Sequence, residues 1–173
     1  MIRTAVLSDL PGIDASYRMH FRHEEEHGAF TLFREGVYPT AAVARDAIGR
    51  GALAVYESDG EILGSIICDG EQPEEYAAVE WPSGAQSNRV RVIHLLLVRP
   101  DAAGRGIGTA LIAHAEETAR REGCVALRLD TGMQNVPARS LYEKVGFRIA
   151  STGAMRIGGV IPHDEHLFFE KPL

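Results

Sequence analysis

Cysteine is scarce in this chain of 173 residues: Cys68 and Cys124 are the only two, far apart and in no CxxC pair. That spacing excludes a disulfide framework and a paired-cysteine zinc site, so both read as buried strand residues. Long apolar runs are also missing. None approaches the roughly 18 residues needed to cross a membrane. The first residues, MIRTAVLSDL, lack the basic and long apolar regions of a signal peptide. The expected setting is cytoplasmic, with no membrane partner. Basic residues are in deficit, with 18 Lys and Arg against 24 Asp and Glu and a net charge of −6. Phosphate-backbone affinity rests on clustered Lys and Arg, so a general nucleic-acid partner is excluded. The acidic balance favours a cationic substrate. There is no linker, internal repeat or low-complexity tract, and with 45% apolar residues the chain reads as one domain, residues 1–173.

What is present is a punctuated series of short elements. A strand near Ile2 to Ala5 leads to Ser8 as N-cap and a helix from about Asp9 to Arg22, with Leu10, Ile13 and Tyr17 on one face. Thr40 caps a second helix, Ala41 to Arg50, which stops at Gly51. Strands Ala52 to Glu57 and Glu61 to Cys68 flank Ser58-Asp59-Gly60, an antiparallel hairpin signal. Residues 70 to 88 form a long polar loop, a length usually functional or disordered. Val90 to Val98 is almost wholly apolar and therefore central. Leu111, Ile112, Ala115 and Ala119 then form a helical stripe, and Cys124 to Leu129 reads as the next strand, which implies a parallel crossover. A helix from Pro137 to Lys144 and strands near Phe147 to Thr152 and His166 to Glu170 complete a mixed α/β sheet with helices on both faces.

The most telling segment is LLLVRPDAAGRGIGT, residues 95 to 109. A strand enters a loop with Gly104, Gly106 and Gly108 at alternate positions, and a helix leaves it. Glycines let the backbone approach a ligand, and the helix start adds free N–H groups and a positive dipole end, so the loop suits a phosphate. A P-loop needs G-x-x-x-x-G-K-[ST], and no such lysine is here. The dinucleotide fingerprint G-x-G-x-x-G is closer, with Asp130 ending the next strand where a ribose-binding acid would sit. Thr109 replaces its third glycine, the upstream hairpin is antiparallel, and too little chain follows Asp130 for a doubly wound sheet.

The stretch VRPDAAGRGIGT, followed by NVPARSLYEKVGF at residues 135 to 147, resembles the GNAT superfamily of acyl-CoA-dependent N-acyltransferases. The resemblance is strong over about residues 89 to 150. The segment from Gly36 through Tyr76 and Trp81 is similar to a poorly characterised branch of small bacterial-type members. The resemblance implies a GNAT-type fold with antiparallel N-terminal strands, central strands splayed by a bulge in the strand matching Leu96, Leu97 and Val98, and a pantetheine arm of acetyl-CoA in the resulting cleft. It places the coenzyme pyrophosphate on Ala103, Gly104, Arg105, Gly106, Ile107, Gly108 and Thr109. Ala103 departs from the Arg or Gln usual there, and Arg105 is a compensating charge. Main-chain groups of Leu96, Leu97 and Val98 would pair with the arm, one amide serving as oxyanion donor. Asn135 matches the residue that binds the arm, and Tyr142 matches a tyrosine near the sulfur, implying a general acid whose phenol, with a reference pKa of about 10, stays protonated.

The acceptor side has three candidates for the amine's proton. They are Asp130 at a strand end where certain relatives carry a glutamate, Glu80 just before Trp81, and His94 in the central strand; a water chain is the fourth route. His20, His23 and His27 share helical spacing, and His163 and His166 form a second group, but flanking Glu24, Glu25 and Glu26 suit a solvated helix end, so no metal is expected. The combined expectation is an acetyl-CoA-dependent N-acetyltransferase acting on a small-molecule amine by direct attack. A peptide or protein amine is the alternative acceptor, and a non-catalytic acyl-CoA-binding module is the alternative role. Homodimers are common in the superfamily.

Overall fold

The computed structural model describes residues 1–173. Its strands are β1 (Ile2–Thr4), β2 (Leu53–Ser58), β3 (Glu61–Asp69), β4 (Val90–Val98), β5 (Ala126–Gly132), β6 (Arg148–Ile157) and β7 (Ile161–Pro172). The helices are α1 (Leu10–His27), α2 (Ala41–Gly49), α3 (Ile107–Arg121) and α4 (Val136–Lys144). All seven strands join one sheet in the order β1-β2-β3-β4-β5-β7-β6. Every neighbouring pair is antiparallel except β4 and β5, which α3 connects as a parallel crossover. No helix is long and apolar enough to cross a membrane.

The apolar stripes decide the layers. Ile13 and Tyr17 of α1 and Ala44 and Ala47 of α2 bury against Val55, Leu95 and Leu97 on one face. Leu111, Ile112, Ala115 and Ala119 of α3 bury against Leu127, Leu129 and Phe169 on the other. Between β2 and β3, Ser58 pairs with Glu61, and Asp59 and Gly60 take φ of 54° and 79°. Both turn residues are left-handed, the requirement of the tight hairpin that Asp-Gly meets most readily. Thr40 caps α2, its hydroxyl accepting from the Val43 N–H at 3.3 Å.

Several boundaries differ from the sequence expectation. Ser8 does not cap α1, because the chain first makes a short 3₁₀ turn over Leu7–Asp9; Asp9 instead accepts the Val6 N–H at 2.8 Å and pairs with Arg3. α1 runs past Arg22 to His27, where the Glu24 carboxylate accepts from the N–H groups of Phe30 and Thr31 and secures the exit. The β6–β7 hairpin is longer than expected. Its distal residues Met155, Ile157 and Ile161 are buried by elements distant in sequence, a protection that local patterning does not reveal. Residues 70 to 89 are not an open loop. Tyr76 and Trp81 pack edge-on against Phe168, and Arg128 stacks 4.3 Å over the Trp81 ring. Beneath them Arg128 pairs with Glu170 at 3.1 Å, both side chains buried.

The centre of the sheet is interrupted. Ile93 pairs with Cys68 and Leu95 with Ile67, so His94 is the extra residue of a bulge. The bulge reverses which face each following side chain takes. Ile93 and Leu96 join the α3 side, whereas Leu95 and Leu97 join the α1–α2 side. The splaying bulge therefore falls at His94, ahead of the expected Leu96–Val98, whose sequence is too uniformly apolar to mark a change of phase. β4 and β5 pair only from Val90↔Ala126 to Ile93↔Leu129. Beyond that point Asp130–Gly132 pair with β7 alone, leaving a cleft beside His94–Val98.

Candidate active site

The cleft opens into a cavity of about 1080 Å³. Leu96 and the bulge at His94 form one wall, Asp130 and Asn135 the other, with Tyr142 of α4 and His166 of β7 also reaching the lining. Phe30, Leu32, Phe33 and Val43 make its remote end apolar. Glu80 is exposed and lies outside this lining. Leu97 is buried in the core on the far side of the strand, and Val98 is half-buried.

Asp130 sits where β5 leaves β4. Its Oδ1 accepts from the Tyr76 hydroxyl at 2.9 Å, and Oδ2 lies 3.6 Å from His166 Nε2. Burial raises its pKa to about 6, against the Tyr76 hydrogen bond and the nearby His94, which both favour the carboxylate. His94 is held differently. Its Nε2 is 2.8 Å from Asp69 Oδ1, and Asp69 also binds Arg50 at 2.7 Å and the Glu71 N–H at 2.9 Å. Burial pushes Asp69 upward, but the His94 hydrogen bond and charge, the Glu71 N–H and Arg50 together bring it down to about 2. In its neutral form the His94 ring donates Nε2–H to the ionised Asp69, and Nδ1 is then the nitrogen that carries the lone pair.

Tyr142 reaches the cleft from α4, its ring held edge-on between Phe147 and Phe169. Burial, reinforced by Asp130, raises its pKa beyond that of an ordinary phenol, so it remains a proton donor. Asn135 is the N-cap of α4: its Oδ1 accepts from the Ala138 N–H at 3.3 Å, which leaves its side-chain NH₂ free to face the cavity.

The glycine loop lies outside the cavity, at the N-terminus of α3. Gly104 and Gly106 take φ of 75° and 78°, and Gly106 is the helix N-cap. The N–H groups of residues 104 to 109 donate no hydrogen bond within the chain; the first bond back is Ala110 N–H to Gly106 O at 3.0 Å. Six consecutive unspent donors at a helix dipole form an anion cradle. Ala103 and Arg105 are exposed beside it. Gly108 serves packing, since a Cβ there would come within 3.0 Å of Leu141 on α4.

Two partners of the candidate residues escaped the sequence reading: Asp69, hydrogen-bonded to His94, and Tyr76, hydrogen-bonded to Asp130. Each lies in a separate segment from the residue it serves, and neither has a local signature. The histidines of α1 are otherwise engaged, His20 with Thr31 and Glu24 and His23 stacked on His27.

Residues 13–147 match the model of the acetyltransferase (GNAT) family. An uncharacterised N-acetyltransferase of Archaeoglobus fulgidus is 31% identical over 153 residues, 88% of this chain and 95% of that one. Another, from Methanocaldococcus jannaschii, is 37% identical over 93 residues, 54% of this chain but 37% of its own length. Among solved structures, the PaiA N-acetyltransferase of Thermoplasma acidophilum in complex with coenzyme A superposes with a TM-score of 0.73 at 17% identity, covering 100% of this chain and 98% of that one.

Proposed function

The chain belongs to the acetyltransferase (GNAT) family, and from that premise we propose that it transfers an acetyl group from acetyl-CoA to a primary amine of a small molecule, by direct attack in a ternary complex. One observation carries the reading. The stretch His94–Val98, paired with β3 but not with β5, borders a cleft that holds Tyr142 and Asp130, and the six free amides at the start of α3 follow the C-terminal end of that strand.

The unspent edge of Leu96, Leu97 and Val98 suits an extended pantetheine arm, which would add to the sheet as a strand does. The cradle from Ala103 to Thr109 suits the coenzyme pyrophosphate. A main-chain amide of β4 would hold the thioester oxygen as negative charge develops on it, and the Asn135 NH₂ would steady the arm. Tyr142 would donate its proton to the departing thiolate.

The acceptor must lose a proton to become a nucleophile. An alkylammonium with a pKa near 10 costs about 4 kcal/mol to deprotonate at neutral pH. Asp130, largely ionised above pH 6, would take that proton; His94, whose Nε2 lies 2.8 Å from Asp69, is the rival. The carboxylate-rich, partly apolar cavity suits a small amine with an apolar body, and its size is that of small-molecule sites.

The test is turnover of acetyl-CoA with phenethylamine, putrescine and an alanine-terminated tetrapeptide. The expected result is at least about tenfold higher kcat/KM for an amine small enough to enter, a difference of roughly 1.4 kcal/mol. The reverse order would assign the site to peptide amines, and coenzyme binding without turnover of any amine would make it a binding module. Replacing Tyr142 by Phe should lower kcat by about a hundredfold while coenzyme affinity stays unchanged.

A further inference from the structure

We infer that His166 and His163 form a two-imidazole path that carries the amine's proton from Asp130 out of the cavity to solvent. The inference rests on the reading of Asp130 as proton acceptor. A carboxylate with a pKa of about 6 holds a proton drawn from an ammonium only briefly. It must discharge that proton before the next turnover. Its Oδ1 is occupied by Tyr76, and Tyr38, Tyr142, His94 and Glu75 are the other titratable groups around it. The remaining neighbour is His166, whose Nε2 lies 3.6 Å from Oδ2 and whose side chain is almost wholly buried. Asp130 and His163 are the titratable groups in contact with that ring.

The hydrogen bonds fix which nitrogens carry protons. The backbone N–H of Glu165 donates to His163 Nδ1 at 3.3 Å, so that nitrogen is an acceptor. The same nitrogen lies 3.0 Å from His166 Nδ1. Two lone pairs would repel at that distance, so His166 Nδ1 carries the proton. Burial lowers the His166 pKa to about 4, so the ring is neutral and its Nε2 is bare. A bare nitrogen beside a carboxylate makes no hydrogen bond, which accounts for the 3.6 Å separation.

This tautomer is oriented outward for transfer. Once Asp130 gains the amine proton, Oδ2–H can donate to His166 Nε2. As Nε2 accepts it, the Nδ1 proton passes to His163 Nδ1. His163 is only partly buried and releases its Nε2 proton to water. One proton enters at Asp130 and one leaves at His163, so the proton count of the chain is unchanged, but both rings end in the opposite tautomer; His166 must return to Nδ1–H and His163 to Nε2–H, by exchange with water, before the next proton passes.

Long-range ¹H–¹⁵N correlation spectra of the labelled protein at neutral pH read the tautomers directly. The expected spectrum has the His166 proton on Nδ1, and a proton on Nε2 would overturn the path. Rapid mixing with acetyl-CoA and phenethylamine then follows thioester loss and proton release together in dilute buffer. In the unaltered protein the two should coincide. In H163Q proton release should trail thioester loss by about fivefold or more, and added imidazole should restore it. H166Q should reproduce the lag, and matching melting temperatures would separate this from misfolding. Coincident signals in H163Q would sink the proposal. Full-rate thioester loss in D130N would instead refute the premise about Asp130 while leaving the histidine tautomers as measured.

Discussion

Tyr76 is the side chain that bears most directly on the ionisation of Asp130. Its hydroxyl donates to the carboxylate and so favours the charged form, partly offsetting burial. Replacing Tyr76 by Phe removes that donor without emptying the space its ring fills against Phe168 and Trp81. The folded pKa of Asp130 should then rise above about 6. Because a base works only when deprotonated, the acid limb of the kcat/KM profile should move to higher pH. A limb that stays in place would show that another group takes the proton. The sequence could not announce this pairing: Tyr76 lies in a polar stretch that gives no periodic signal, and its partner is 54 residues away.

The glycine loop and the helix after it were the most legible elements, because everything that defines them is local. Three glycines, a strand before them and an apolar stripe after them need no distant partner to be recognised. Gly106 lends itself to a test. A Cβ there would meet nothing within 4 Å, so the cost of G106A is backbone strain alone. At a φ of 78° that strain is about 1–2 kcal/mol. The melting temperature should fall accordingly, and relaxation of the loop should weaken coenzyme A binding by about tenfold, measured by calorimetry. The bulge at His94 was illegible for the opposite reason. It exists only as a register difference between β3 and β4, and an apolar run that is buried on both faces has no alternation in which a slip of phase could be seen.

The whole molecule is closed on one side by residues 70 to 89, anchored through the buried Arg128–Glu170 pair. Glu170 also accepts from the Ser83 N–H and hydroxyl, both at 2.8 Å. Glu170→Ala should cost about 3–5 kcal/mol in urea unfolding, because it strands a buried guanidinium, whereas pairing it with Arg128→Met should recover much of the loss. An unchanged midpoint in the single variant would mean that the charge finds water. Fold class and strand number were readable from pattern, but this closure was not, since its tie joins residues far apart in sequence. The sheet itself has a seam. Four rungs, Val90–Ile93 with Ala126–Leu129, join β1 through β4 to β5, β7 and β6. A chain laid into the cleft would continue the lattice where those rungs stop, acting as a splint across two half-sheets. Mechanical pulling should therefore tear the empty protein along this line first, and filling the cleft should convert two plates that flex against each other into one.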